Sequence, residues 1–362
     1  MAGKRVLVVG GLGLVGRATV EVLTEMGDTE VIGLSRRVPD EELTARWVTA
    51  DLADREALRA GLQEAGPITH VVYAALYEKP QLAAGWLEPD HIARNTLMLG
   101  NLLDVLRETS PELAHLSLLQ GTKAYGLHLG PIKIPAKETE LRHIPPNFYW
   151  SQEDLVRERA AADGWTWSVW RPQMVSGIAT GSPMNGMSGL ALYPLICKEL
   201  GVPARLPGWP DYILEATDTR LMARAFRWAM DAPTAANQIF NITNGDFFAW
   251  KNVWPAICDY FGVEPGYPQP TPLEIMMADK APVWDRIVAR HGLRPTPYDD
   301  ISPNWQFMDF VFCYAAPSTP PPSLFSTIKL RQAGFTDCID TEDMFVELFD
   351  EMRRRRLIPA AA

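Results

Sequence analysis

The chain has 362 residues, 47% of them apolar and 22% charged, with a formal net charge of −10. That length can bury a sizeable core, and the composition is that of a globular protein in water. The acidic balance argues against nucleic acid or an anionic membrane surface as the main partner, and no apolar run approaches the ~20 residues of a membrane span.

The first strand pattern is RVLVVG, Arg5 to Gly10, with no apolar leader or cleavage signal before it. VGRATVEVLTEMG follows as a helix ending at Gly27. EVIGLSR predicts a strand; EELTARW comes next, and VTADL predicts another strand. DREALRAGLQEAG is a helix, THVVYAA a strand, HIARNTLMLGNLLDVLRE a strongly amphipathic helix and HLSLLQG a strand. Tyr149 to Asp163 predicts a helix, and WTWSVWRP a buried strand stopped by Pro172. Strict alternation of this kind predicts a parallel sheet covered on both faces.

From about Met174 the pattern loosens. GLALYPLICKEL reads as helical, and NQIFNITNG as one more strand returning to the sheet. AAPSTPPPS is a proline-rich loop, and TEDMFVELFDEMRRRR is a closing helix whose last turn is cationic, as the helix dipole favours. The fold class is α/β. Residues 1–175 are expected to form a doubly wound, Rossmann-type dinucleotide-binding domain, with a returning strand near 237–243. Residues 176–362 are expected to form a smaller, mostly helical substrate-binding and lid region interleaved with it. Cys197, Cys258, Cys313 and Cys338 lack metal-ligand spacing and are expected to be reduced thiols of a cytoplasmic protein.

GGLGLVG ends the first strand and places Gly10, Gly13 and Gly16 on a strand-to-helix turn. Glycines there admit a pyrophosphate to the backbone, and the free N–H groups at the helix start, Leu14 and Val15, face its charge. At the tip of the second strand stand Ser35, Arg36 and Arg37, with no acid for a ribose 2′-hydroxyl. A hydroxyl and guanidinium groups suit a 2′-phosphate, so the expected cofactor is NADP(H). Asp51 and Leu52 end the third strand, where a carboxylate can accept from adenine or cap a helix. Ala74 and Ala75 after the fourth strand leave room for ribose and nicotinamide.

The fifth strand runs into LLQGTKAYG, which puts Gln120, Gly121, Thr122 and Lys123 at its carboxyl end, where such folds build their sites. Short-chain dehydrogenases carry a serine near here and a Tyr-x-x-x-Lys motif about two dozen residues on. This chain has Tyr149 in PPNFYWSQEDL, with Glu153 where the lysine is usual. A glutamate aimed at the phenol would raise its pKa, whereas a cation would lower it. The cation has moved to Lys123 on the strand tip, and this accounts for both departures.

GTKAYG, NFYWSQEDL, RPQMVSG, SPMN, ICKELG, FNITNGDFFAWKNVW, VWDRIV and MDFVF together resemble the progesterone 5β-reductase/iridoid synthase-like family of atypical extended short-chain dehydrogenases. The resemblance implies reduction of enone C=C bonds with NADPH, with Tyr149 and Lys123 as the catalytic pair that holds the enolate oxygen. It also implies cofactor contacts at Pro172 and Val175. Trp150 departs from the second tyrosine usual in the family. Leu129, beside His128, stands where an aromatic residue commonly flanks substrate, and this counts against steroid-like substrates. Trp305, Phe307, Met308 and Phe310 are candidates for a lid over the substrate, against the plainer reading of an aromatic core stripe. Asn95 is expected to brace the sheet rather than touch substrate.

Three other readings remain open. A carbonyl reductase or alcohol dehydrogenase could use the same oxyanion site on a small-molecule ketone or aldehyde. A sugar-nucleotide epimerase shares the architecture, but Glu153 counts against it. The third is a non-catalytic NADP(H)-binding protein. A homodimer is left open.

Overall fold

The computed structural model describes residues 3–39, 43–79, 85–302 and 304–360. The chain divides into two compact units. The first comprises Met1–Gln173, Thr219–Ile242 and Phe325–Asp337, and the second Met174–Asp218, Thr243–Leu324 and Cys338–Ala362.

The first unit is built on a parallel sheet of seven strands. In chain order these are β1 (Lys4–Val9), β2 (Thr29–Ser35), β3 (Arg46–Thr49), β4 (His70–Tyr73), β5 (His115–Leu119), β6 (Thr166–Pro172) and β7 (Gln238–Ile242). Their spatial order is β7-β6-β5-β4-β1-β2-β3. The strand order reverses direction beside β1, the switch point at which doubly wound sheets bind dinucleotides. Val6 to Val9 and Val71 to Tyr73 are almost wholly buried, as a sheet covered on both faces requires. The strand expected within VTADL begins two residues earlier, at Arg46. Glu41 and Glu42 of the preceding EELTARW stretch lie outside the described residues.

Helix α1 (Leu14–Met26) ends at Gly27, which takes the left-handed conformation at φ 69°. Helix α2 (Arg55–Ala65) is capped by Asp54, whose side chain accepts from Ala57 N at 3.0 Å. Helix α3 (Pro89–Thr109) has Pro89 in its first turn, where proline costs no hydrogen bond. Helix α4 (Phe148–Asp163) carries Tyr149 at its second position and ends at Gly164. Among these helices, apolar faces at α1 (Leu14, Val15, Ala18, Leu23) and α3 (Leu99, Leu102, Leu106) are buried.

The second unit is mostly helical. Its core gathers Leu190, Ile196, Trp250, Trp254, Trp284, Phe312, Phe345 and Phe349. The helix expected in GLALYPLICKEL runs Gly186–Leu200, and the closing helix runs Thr341–Arg354. Cys197, Cys258, Cys313 and Cys338 are all free thiols. No helix among the described residues is long and apolar enough to cross a membrane.

Candidate active site

The turn after β1 is compact because its glycines leave no room for side chains. Gly10 sits at φ +80°, and a Cβ there would lie 2.9 Å from Ala75 N and 3.0 Å from the Ala74 carbonyl. A Cβ on Gly16 would lie 2.1 Å from Gly10 O, so only glycine lets α1 start this close to the turn. Gly13 caps α1 through its backbone alone, with no side-chain hydrogen bond and no acidic residue in the first turn. The helix start at Leu14, Val15 and Gly16 therefore presents backbone N–H groups and no carboxylate, an edge that could face an anion. The cradle fits a dinucleotide pyrophosphate.

The remaining cofactor candidates of the first unit follow the carboxyl ends of neighbouring strands, on one edge of the sheet. Arg36 and Arg37 are exposed after β2, and Ser35 Oγ accepts from Arg37 N at 3.1 Å, which fixes the tip. Asp51 uses one carboxylate oxygen to accept from Ala53 N at 2.9 Å, and Asp54 rather than Asp51 caps the helix. Leu52 is buried. Ala74 N donates to Val9 O at 3.0 Å, which ties the loop after β4 to β1. Pro172 closes β6 opposite Ile242 of β7. Val175 belongs to the second unit, where it pairs with Thr217 in a short parallel ladder.

Lys123 lies in a short 3-10 helix, Thr122–Tyr125, directly after β5. Lys123 is half-buried, and its ammonium lies over the Trp86 ring, 3.7 Å from the centroid. The Trp86 ring meets the Tyr149 ring edge-on at 5.2 Å, and Phe148 packs on both at 4.7 Å. Lys123 and Tyr149 thus share one aromatic wall. Asn147 links their backbones. Its Oδ1 accepts from Tyr149 N at 3.0 Å, and its Nδ2 donates to Lys123 O at 3.3 Å. His143 Nε2 also reaches Lys123 O at 3.1 Å. A buried Asn cap here both starts α4 and holds the lysine backbone. Gly121 stands beside the phenol; a Cβ on it would lie 3.4 Å from Tyr149 Oη.

The electrostatics differ from the sequence expectation in two respects. Burial pushes the Tyr149 phenol well above its ordinary value, Glu78 adds to the rise, and Arg171 opposes it. Desolvation outweighs the Arg171 guanidinium, so the phenol stays a protonated donor. Glu153 does not face the phenol. Its Oε1 accepts from Arg142 at 3.1 Å and Arg157 at 2.9 Å, and its Oε2 accepts from Gln120 Nε2 at 3.2 Å. Gln120 passes the link on, with Oε1 accepting from Arg171 Nε at 2.9 Å and Nε2 donating to Tyr149 O at 3.2 Å. The Gln120 side chain is therefore spent inside the protein. Burial draws the Lys123 amine down to about 8, against an upward pull from Glu78.

His128 is drawn down to about 4 by burial, with Lys123 and His143 acting in the same direction, so its ring is neutral near pH 7. Leu129 is 45% exposed. Trp305 and Met308 are committed to the core of the second unit, where a Cβ on Gly189 would collide with the Met308 side chain. Phe307 is partly buried beside Gly186, and Phe310 is exposed. Asn95 holds the loop after β4 rather than the sheet itself: it accepts from Tyr77 N at 2.9 Å and donates to Tyr77 O at 3.0 Å. Sequence reasoning passed over Glu78, Trp86, His91, His143 and Asn147. Only Asn147 carried a usable signal, a cap residue directly before a helix pattern.

The model of the NAD dependent epimerase/dehydratase family matches residues 6–243. The (S)-8-oxocitronellyl enol synthase of Antirrhinum majus is 34% identical over 375 residues, covering 98% of this chain and 92% of that protein. The enzyme of the same name from Catharanthus roseus is 32% identical, with coverage of 98% and 92%. Among solved structures, the UDP-glucose 4-epimerase of Thermus thermophilus in complex with NAD superimposes with a TM-score of 0.65 at 21% identity, covering 96% of this chain and 99% of that one. Bordetella bronchiseptica WbmH in complex with NAD+ gives 0.64 at 16% identity, covering 97% and 98%. At those identities the structures speak to the fold alone.

Proposed function

The chain belongs to the NAD dependent epimerase/dehydratase family, and within it to the progesterone 5β-reductase/iridoid synthase-like oxidoreductases, and from that premise we propose that it catalyses the 1,4-reduction of an enone with NADPH. The observation that carries this reading is the Lys123 ammonium seated on the Trp86 ring, whose edge the Tyr149 ring also meets. Arg36 and Arg37 with Ser35 support the choice of NADPH, since two guanidinium groups suit a 2′-phosphate. Gly10, Gly13 and Gly16 with the α1 start would hold the pyrophosphate.

When bound, the dinucleotide supplies the hydride taken up by the β-carbon of the enone. The chain's own residues act at the far end of the conjugated system. The Tyr149 phenol donates a hydrogen bond to the carbonyl oxygen as it becomes an enolate. Lys123 adds positive potential in a site where desolvation strengthens it. The phenol keeps its proton, since its affinity is raised, so its role is to hold charge rather than to give up the proton. The α-carbon then takes its proton from water, which leaves hydroxide.

The test is NADPH oxidation on paired substrates, small enones such as 2-cyclohexen-1-one and the matching saturated ketones, with product analysis. Saturated ketone from the enone supports the proposal. Alcohol from both sets would replace it with carbonyl reduction. Tight NADPH binding with no turnover would favour a non-catalytic role.

A further inference from the structure

We propose that Glu78 is a positioning residue that keeps the Lys123 ammonium charged and seated, as its counter-charge and through the Trp86 indole. This rests on the reading of Lys123 as the cation of the oxyanion site. Glu78 follows β4, and its side chain is only 5% exposed. Its Oε2 accepts from Trp86 Nε1 at 2.9 Å. Its Oε1 faces His91 Nε2 at 3.4 Å and accepts from Lys79 N at 3.2 Å. The indole is therefore fixed by a charged acceptor at one edge, and its face lies 3.7 Å from Lys123 Nζ. A ring held in that orientation attracts an ammonium through its negative face.

An ammonium taken out of water gives up its proton more readily. Lys123 is drawn down to about 8 by burial, and Glu78 is the group that opposes this. The same carboxylate raises the Tyr149 phenol. One buried anion thus favours a charged lysine and a protonated tyrosine together, the pair of states that an oxyanion site needs. The neighbouring titratable groups act otherwise. His128 and His143 are rings that bring no negative charge, and Arg171 acts on Tyr149. Glu88 and Asp90 are engaged by Lys79.

The experiment is an NMR titration of the full chain carrying 13C at the lysine ε-carbon, with the Lys123 signal assigned by its loss in Lys123→Met. The wild-type signal is expected to titrate near 8. In Glu78→Gln, Lys123 is expected to hold its proton about tenfold less tightly. Trp86→Phe keeps a ring but loses the indole donor, and is expected to move the midpoint down by less. In the enone assay, the alkaline limb of kcat should move to lower pH in Glu78→Gln, with kcat recovering on the acid side. A folded Glu78→Gln with an unmoved Lys123 midpoint overturns the proposal. If Glu78→Gln does not fold, an unmoved midpoint in Trp86→Phe overturns it instead. The titration needs no turnover, so an enzyme that reduces no enone would sink the functional reading while leaving this one to be judged.

Discussion

The Glu153 carboxylate lies 3.6 Å from the Arg171 guanidinium, and each side chain is only 4% exposed. Glu153 sits one helical turn after Tyr149 on α4, and Arg171 lies on β6. A residue that looks hostile to a phenol in the sequence is the anchor of a buried cation beneath it. Arg171 in turn is the group that pulls the Tyr149 phenol down against its burial.

Glu153→Gln removes the charge and leaves Arg171 buried without its carboxylate. Breaking one side of such a pair costs about 3 kcal/mol. Urea unfolding of the variant should show a loss of that size. A loss within about 0.5 kcal/mol, the range of ordinary surface changes, would mean that the pair is solvated.

Tyr149→Phe removes the donor but leaves the ring on the Trp86 wall. kcat for enone reduction should fall about 10²-fold to 10³-fold, the usual cost of one oxyanion donor. NADPH affinity, read by fluorescence titration, should stay close to wild type. A near-normal rate would remove the phenol from the chemistry.

Arg36→Ala should weaken NADPH while leaving NADH almost unchanged, since only the former carries a 2′-phosphate. A charge-assisted contact at an exposed tip makes the expected loss about tenfold. Equal losses for both dinucleotides would reject the 2′-phosphate assignment.

Asn147→Ala removes the α4 cap and the donor to Lys123 O together. Stability should fall by about 1 kcal/mol. kcat should fall further than that loss alone explains, while the KM for NADPH holds. Thermal melts and steady-state kinetics on one preparation separate the two effects, and an unchanged kcat would confine Asn147 to capping.

His115 is buried in the sheet, with Nδ1 at 2.9 Å from Thr166 Oγ1 and Nε2 at 3.0 Å from Ser168 Oγ. Burial, with His70 beside it, draws its value from 6.5 to about 3. The folded protein holds the neutral ring, while the unfolded chain protonates near the ordinary value. Its contribution is fully present above about 6.5 and is lost as pH falls toward about 3. The slope approaches about 1.4 kcal/mol per pH unit. His115→Gln should flatten the fall in urea midpoint between those limits, and an unaltered slope would clear His115 of any part in acid sensitivity.

Much of the first unit was legible because its cues are local. The apolar strand runs, the glycine spacing at Gly10, Gly13 and Gly16, and Gly27 at a helix end all act within a few residues. Lys123 and Tyr149 stood out by their place relative to strand and helix patterns. Glu78, Trp86 and Arg171 did not, because their meaning depends on which distant segment they pack against. Glu153 shows the same limit. Its spacing gives the face of the helix and the Arg157 partner one turn on, but its other partners come from just past β5, from β6 and from the loop before α4. Trp305 and Met308 form an aromatic and sulfur stripe that periodicity alone cannot assign to core or lid, and each is core in its own unit.

β7 brings its own demand on synthesis. Gln238 to Ile242 pair with Ser168 to Pro172, so the edge of β6 meets its partner only after a long intervening stretch has left the ribosome. Until then the nascent sheet presents an open ladder of backbone groups bordered by Val169 and Trp170, the kind of edge that recruits other chains. Truncations that stop before Gln238 should therefore accumulate in the insoluble fraction, however well the dinucleotide cradle beside β1 has formed.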